Sequence, residues 1–240
     1  MTNDVTTNPK RCAIHQPQFL PWLGYFDKIS TADIFVFLDD VQFKKNEFQN
    51  RNKILVRGEA KWLTVPAKFN FGDTIRQTEP ANDRAWAKKM IRTLELNYAR
   101  TQYFATFKNG LFDILEHEWR SLAELNMATV LWLMDCFHIR TETRLSSAMQ
   151  GLSHNPTRRL IDICNYSGST TYLSGAGGRN YLDLNAFAEA GITVEFQDFL
   201  HPTYTQWYTS QHGFVSNLSA IDMLFNCGDK WPINRKDADR

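Results

Sequence analysis

The chain has 240 residues, 43% of them hydrophobic and 22% charged, close to globular averages and within the size of one large domain. Its 27 Lys and Arg against 26 Asp and Glu, with no long block of one sign, exclude a basic nucleic-acid arm and an acidic tail. No apolar run approaches the ~20 residues that cross a bilayer, and the opening MTNDVTTNPKR lacks the apolar core of an export signal. Cys12, Cys136, Cys164 and Cys227 stand far apart with no CxxC pair, so reduced core thiols in a soluble, cytoplasmic protein are expected.

Residues 1–10 read as a flexible leader. Residues 11–15 read as a short buried strand, followed by a turn over 16–20 and a helix beginning at Pro21, where proline suits the first helical turn. The run IFVFL at 34–38 is short and wholly apolar, as a central strand is, so the opening is strand, helix, strand and favours a parallel sheet. Residues 52–56 and 61–65 flank a turn at 57–60 and predict a hairpin, after which a polar, glycine-bearing loop runs over about 69–83. Apolar spacing then predicts three helices between Trp86 and Phe137, broken near 100–102 and 119–121. The α/β rhythm returns with a strand at 141–145 and a helix capped by Asn155-Pro156 that runs to Tyr166. A strand at 171–174, a helix at 185–190 ended by Gly191, a strand at 193–196 and a last helix at 218–225 follow, with 229–240 as a tail. The expected fold is α/β: a mostly parallel, Rossmann-like sheet in a single domain over 11–228, with a helical insertion at about 84–138.

In open parallel sheets ligands bind beyond the carboxyl ends of the strands, which points first to His15-Gln16 and to Asp39-Asp40. An imidazole beside two carboxylates suits a general base, a group that orients a substrate hydroxyl or amine, or a holder of a divalent metal, so His15, Asp39 and Asp40 are the catalytic candidates. Gln42, Lys45, Gln49, Asn50, Arg51 and Asn52 follow in a loop dense in amide and cationic donors, groups that suit sugar hydroxyls and phosphates. Next, Ser174-Gly175-Ala176-Gly177-Gly178-Arg179 follows a predicted strand with small residues that admit an anion, and Tyr181 and Asp183 either bind a sugar or cap the next helix. His201, Tyr204 and Gln206 add rings and an amide, and Asp222 sits on the last helix. All these stretches are expected to meet in one pocket at the carboxyl edge of the sheet. HExxH, GxSxG, GxxxxGK and clustered Cys/His patterns are missing, so no metal-ligand set is assigned and hydrolase and kinase templates gain no support.

Several ordered motifs carry a resemblance: His15-Gln16-Pro17 leading into Leu20-Pro21-Trp22-Leu23-Gly24-Tyr25-Phe26-Asp27, then Leu38-Asp39-Asp40-Val41-Gln42-Phe43, Gln49-Asn50-Arg51-Asn52 and Trp62-Leu63-Thr64-Val65-Pro66. With Tyr172-Leu173-Ser174-Gly175, Tyr181-Leu182-Asp183, His201-Pro202-Thr203-Tyr204 and Leu218-Ser219-Ala220-Ile221-Asp222, they resemble the WbqC-like family over about residues 11–228. The resemblance implies a place in O-antigen, lipopolysaccharide or other surface-polysaccharide biosynthesis. Together with the hydrogen-bonding loops it leads to a transferase on a nucleotide-linked amino sugar, with an acyl or aminoacyl donor. The opening also resembles nucleotidyltransferase-type α/β folds, with Tyr25 where that pattern has histidine. An enzyme using ATP or another nucleotide with Mg²⁺ is therefore the alternative, and a non-catalytic sugar-binding or scaffold module is the third. A nucleotide-sugar is the expected partner; donor, sugar, metal requirement and oligomeric state stay open.

Overall fold

The computed structural model describes residues 10–81, 83–207 and 213–230. The leader before residue 10 and the tail after residue 230 lie outside them. The chain divides into two compact units. One takes the residues up to Gln16, Lys28–Asp40 and Thr141–Phe199; the other takes Pro17–Asp27, Val41–Arg140 and the residues from Leu200 on. The predicted helices at 84–138 fall in the second unit, which also includes chain from before and after them.

The first unit is built on five parallel strands: β1 (Arg11–His15), β2 (Ile34–Phe37), β7 (Glu142–Leu145), β8 (Thr171–Ser174) and β9 (Thr193–Phe196), in the order β7-β2-β1-β8-β9. Burial follows that order. Every residue of β2 and β8 is buried, as central strands covered on both faces must be, while the edge strands β7 and β9 stay half exposed. Cys12, Ile14, Ile34, Val36, Ile161 and Phe187 share one apolar cluster, to which α5 (Pro156–Tyr166) and α6 (Leu184–Glu189) contribute. Asn155 caps α5 by accepting from the Arg158 amide at 3.0 Å, with Pro156 in the first turn.

In the second unit, α2 (Ala85–Tyr98), α3 (Phe104–Glu116), α4 (Leu122–Cys136) and α7 (Ala220–Cys227) accompany two hairpins. β3 (Arg51–Val56) and β4 (Glu59–Thr64) are joined by two residues, Arg57 and Gly58, both at positive φ, rather than by the four-residue turn expected at 57–60. That mirror-image turn matches the twist of the strands it joins, so pairing continues to Val56 and Glu59. β5 (Ala67–Lys68) and β6 (Glu79–Pro80) pair across the segment expected to be a plain loop. Two other boundaries move for one reason. The helix expected from Pro21 is α1 (Leu23–Thr31), and the helix expected from Leu218 begins at Ala220, because Trp22 and Ser219 form a β-bridge and the Pro21 carbonyl accepts from the Ala220 amide at 2.8 Å. Backbone committed to a partner across the chain cannot also enter a helix.

One carboxylate joins four segments of this unit. Asp222, wholly buried on α7, accepts from the Tyr98 hydroxyl at 2.8 Å, the Tyr204 hydroxyl at 2.9 Å and the Gln206 amide at 2.9 Å. Tyr98 in turn accepts from the Leu55 amide of β3 at 2.9 Å. Burial raises the pKa of Asp222, opposed by the hydrogen bonds from Tyr98, Tyr204 and Gln206. Tyr98→Phe would leave a buried amide and a buried carboxylate oxygen each short of a partner. A loss of about 1–3 kcal/mol is expected in urea unfolding. An unchanged midpoint would mean that this node holds nothing together.

Candidate functional site

Parallel strands deliver their carboxyl ends to one edge, and in the first unit that edge collects several of the residues expected to matter. Counted along the chain, the five strands run third, second, first, fourth, fifth across the sheet. The order therefore reverses between β1 and β8, the kind of switch point at which a crevice opens in α/β sheets. His15 and Gln16 leave β1 on one side of the reversal, and Ser174 and Gly175 leave β8 on the other.

His15 is half-buried, and its Nδ1 lies 3.0 Å from the Gln16 carbonyl oxygen. A carbonyl only accepts, so Nδ1 carries the proton and Nε2 is the acceptor of the ring. Burial lowers the His15 pKa to about 4, with the charge of Lys28 adding to the shift and the bond to Gln16 opposing it. The ring is neutral at physiological pH. Lys28 is itself 3% exposed, its Nζ donating to the Ile14 carbonyl at 2.8 Å, and burial lowers it to about 8 against the opposing influence of Cys12. A lysine within the otherwise apolar stripe of a helix was the available signal for this group.

β2 passes directly into the acidic pair: the Leu38 amide donates to the His15 carbonyl at 2.8 Å, and Asp39 and Asp40 follow. Asp39 is buried and accepts from the Ser147 hydroxyl at 2.7 Å and the Ser147 amide at 3.1 Å, with the Ser146 oxygen 3.2 Å away. Asp40 pairs with Arg159 of α5 at 2.6 Å and accepts from Ser146 at 2.5 Å. The two carboxylates thus differ in situation: Asp39 is held within the fold, while Asp40 keeps 23% of its side chain exposed beside a guanidinium. Ser146, Ser147 and Arg159 were missed from the sequence. The serines could have been found, since they follow the predicted strand at 141–145; Arg159 carries no local signal.

After β8 the chain makes a 3-10 turn, with the Gly178 amide on the Gly175 carbonyl at 2.9 Å. A Cβ at Gly178 would lie 2.0 Å from the Ser174 hydroxyl, so glycine there is a matter of close approach. A Cβ at Gly175 or Gly177 would meet nothing within 4 Å beyond its chain neighbours, so the turn borders open space. Arg179 lays its guanidinium over the Phe196 ring at 4.3 Å, Tyr181 is 70% exposed, and Asp183 caps α6 by accepting from the Ala186 amide at 3.2 Å.

The remaining candidates belong to the second unit. Gln42 and Lys45 are exposed, and Gln42 bridges Thr74 through its backbone. Gln49, Asn50 and Asn52 are buried and serve backbone partners: Gln49 accepts from the Lys44 amide at 2.8 Å, Asn50 donates to the Val65 carbonyl at 3.0 Å, and Asn52 donates to the Leu20 carbonyl at 2.7 Å. Arg51 lies over the Trp62 ring at 4.0 Å. His201 accepts at Nε2 from the Asn217 amide at 3.2 Å, stacked near Trp22. Tyr204, Gln206 and Asp222 form the node described above.

Between pH 6.5, where an unshifted imidazole protonates, and about 4, where His15 does, the unfolded chain binds more protons than the folded one. Above pH 6.5 the titration of His15 leaves stability unchanged, and as pH falls toward 4 stability drops by about 3 kcal/mol at most, because the folded state resists taking up the proton. His15→Gln is expected to flatten that limb of a urea-unfolding pH profile. The same slope in the variant would place the titrating group elsewhere.

Comparison with known proteins agrees with the resemblance. The model of the WbqC-like protein family matches residues 16–232. The chain is also 34% identical over 227 residues, 93% of its length, to the uncharacterized protein Rv1507c of Mycobacterium tuberculosis, of which 96% is covered. No solved structure matches. The chain belongs to the WbqC-like protein family.

Proposed function

We propose, with that membership as the premise, that the protein is a cytoplasmic transferase acting on a nucleotide-linked amino sugar in surface-polysaccharide assembly, taking an acyl or aminoacyl group from an activated donor. The observation that carries the reading is the reversal of strand order between β1 and β8, flanked by a neutral imidazole and an open glycine turn. In this reading the phosphates lie near Gly175 to Arg179, where small residues admit an anion and a guanidinium adds charge. The sugar amine attacks the acyl carbonyl, forming the amide as the bond to the donor's leaving group breaks. His15 Nε2 accepts the proton that the nitrogen loses. A base of pKa about 4 drives that transfer weakly by itself, and the negative charge of bound phosphate would strengthen it. Asp40, fixed by Arg159, orients the amine, and Asp39 holds the turn that presents it.

The test is to incubate the protein with nucleotide-linked amino sugars and activated acyl or aminoacyl donors and to look for mass-shifted products. His15→Gln is expected to lower turnover by ~100-fold while the unfolding midpoint above pH 6.5 moves little. No product across a broad panel, with no rise in melting temperature at saturating nucleotide-sugar, would sink the reading.

The strand order also supports the nucleotidyltransferase reading, in which ATP or another nucleotide enters with Mg²⁺. Tyr25 weighs against it. The residue is 2% exposed with its phenol pKa pushed up by burial, and a phenol, neutral or anionic but never cationic, gives phosphate no positive partner where that pattern has histidine. Release of pyrophosphate from nucleotide and Mg²⁺ would favour this second activity; sugar binding without turnover would favour a non-catalytic module.

A further inference from the structure

We infer a ligand site in the helical unit, independent of the sheet edge: a cavity of about 210 Å³ walled by Trp86, Trp119, His117, Arg84 and Glu118 that takes a single ring of a neutral saccharide. It lies where the chain leaves β6, enters α2 and turns after α3. Its size argues for one ring, since pockets for larger ligands span roughly 300–1,000 Å³.

The walls are fixed by bonds within the protein. Trp86 donates its indole N–H to the Ala81 carbonyl at 3.0 Å, and Trp119 donates to the Ile114 carbonyl at 2.8 Å. With both donors committed, the indoles offer a ligand ring surface rather than hydrogen bonds, which suits the C–H groups of a pyranose. The Arg84 guanidinium donates to the Leu115 and Glu116 carbonyls, tying the start of α2 to the end of α3. His117 sets its ring 4.4 Å from that of Trp119, inclined by 60°. A ligand therefore meets a site already ordered, which reduces the entropic cost of binding.

Charge decides the class of ligand. One cation, Arg84, and one anion, Glu118, line the cavity, so a phosphate or carboxylate gains little net attraction. Arg84 Nε, buried without a hydrogen-bond partner, and the Glu118 carboxylate leave a donor and an acceptor for hydroxyl groups, which act as either. Aromatic surface together with groups of both hydrogen-bonding senses is what a sugar ring requires.

The experiment is a ¹⁹F NMR titration of the full chain labelled with fluorotryptophan, the Trp86 and Trp119 signals being assigned through Trp86→Phe and Trp119→Phe. The probes are methyl β-glucopyranoside, N-acetylglucosamine and L-rhamnose, with AMP and inorganic phosphate as competitors of other classes. At least one sugar is expected to shift both signals saturably, with a Kd of about 1 mM. Binding should weaken at least ~10-fold in Trp119→Ala and in His117→Ala. His117 is exposed, so His117→Ala keeps the test decisive if the tryptophan variant fails to fold. Absence of saturable shifts, shifts unchanged in His117→Ala, or AMP binding as tightly as any sugar would each overturn the inference. Because no turnover is read, its failure is distinct from failure of the transferase reading.

Discussion

Two parallel strands cannot be joined by a tight turn, and that constraint organises the sheet-bearing unit. Each strand must be reached by a crossover, so every strand ends at the same edge, and a chain that extends the sheet first one way and then the other must leave a reversal. In this chain the reversal separates β1 from β8. The position of His15 beside Ser174 and Gly175 is thus a consequence of topology, while the chemistry of that position depends on burial. Desolvation and Lys28 together keep the imidazole neutral, and the Gln16 carbonyl selects the tautomer.

Polar side chains in the other unit are used differently. Irregular backbone carries donors and acceptors that no helix or sheet satisfies, and buried amides satisfy them. Asn126, wholly buried in α4, donates to the Pro17 carbonyl at 3.1 Å and the Gln49 carbonyl at 2.7 Å, and Asn52 and Asn50 do the same for neighbouring segments. Asp222 extends the principle to a carboxylate, which costs more to bury and is compensated by three donors.

This contrast explains what could be read from the sequence. The strand IFVF announces itself because a central strand is apolar on both faces, and Asn155-Pro156 marks a helix start because both residues act locally. The two-residue strands β5 and β6 are too short to show any period, and the delayed starts of α1 and α7 depend on a bridge between residues nearly two hundred positions apart. The donor-rich segment from Gln49 to Asn52 shows the same limit at the site. Composition reveals that hydrogen bonds will be made but not in which direction, and burial turned three of those four side chains toward the protein's own backbone. His15 and Asp40 were legible because a strand end fixes position without reference to distant partners. Arg159, which completes the acidic pair, was not.

The contact between Ser174 and Gly178 has a consequence for how the protein can change over generations. A methyl group at 178 would fall 2.0 Å from the serine hydroxyl, closer than any relaxed packing permits. A side chain at 178 therefore requires the Ser174 hydroxyl to turn out of its place against the turn or to be lost. The two sites, four residues apart, are coupled through this one contact, whereas a Cβ at 175 or 177 meets no such neighbour.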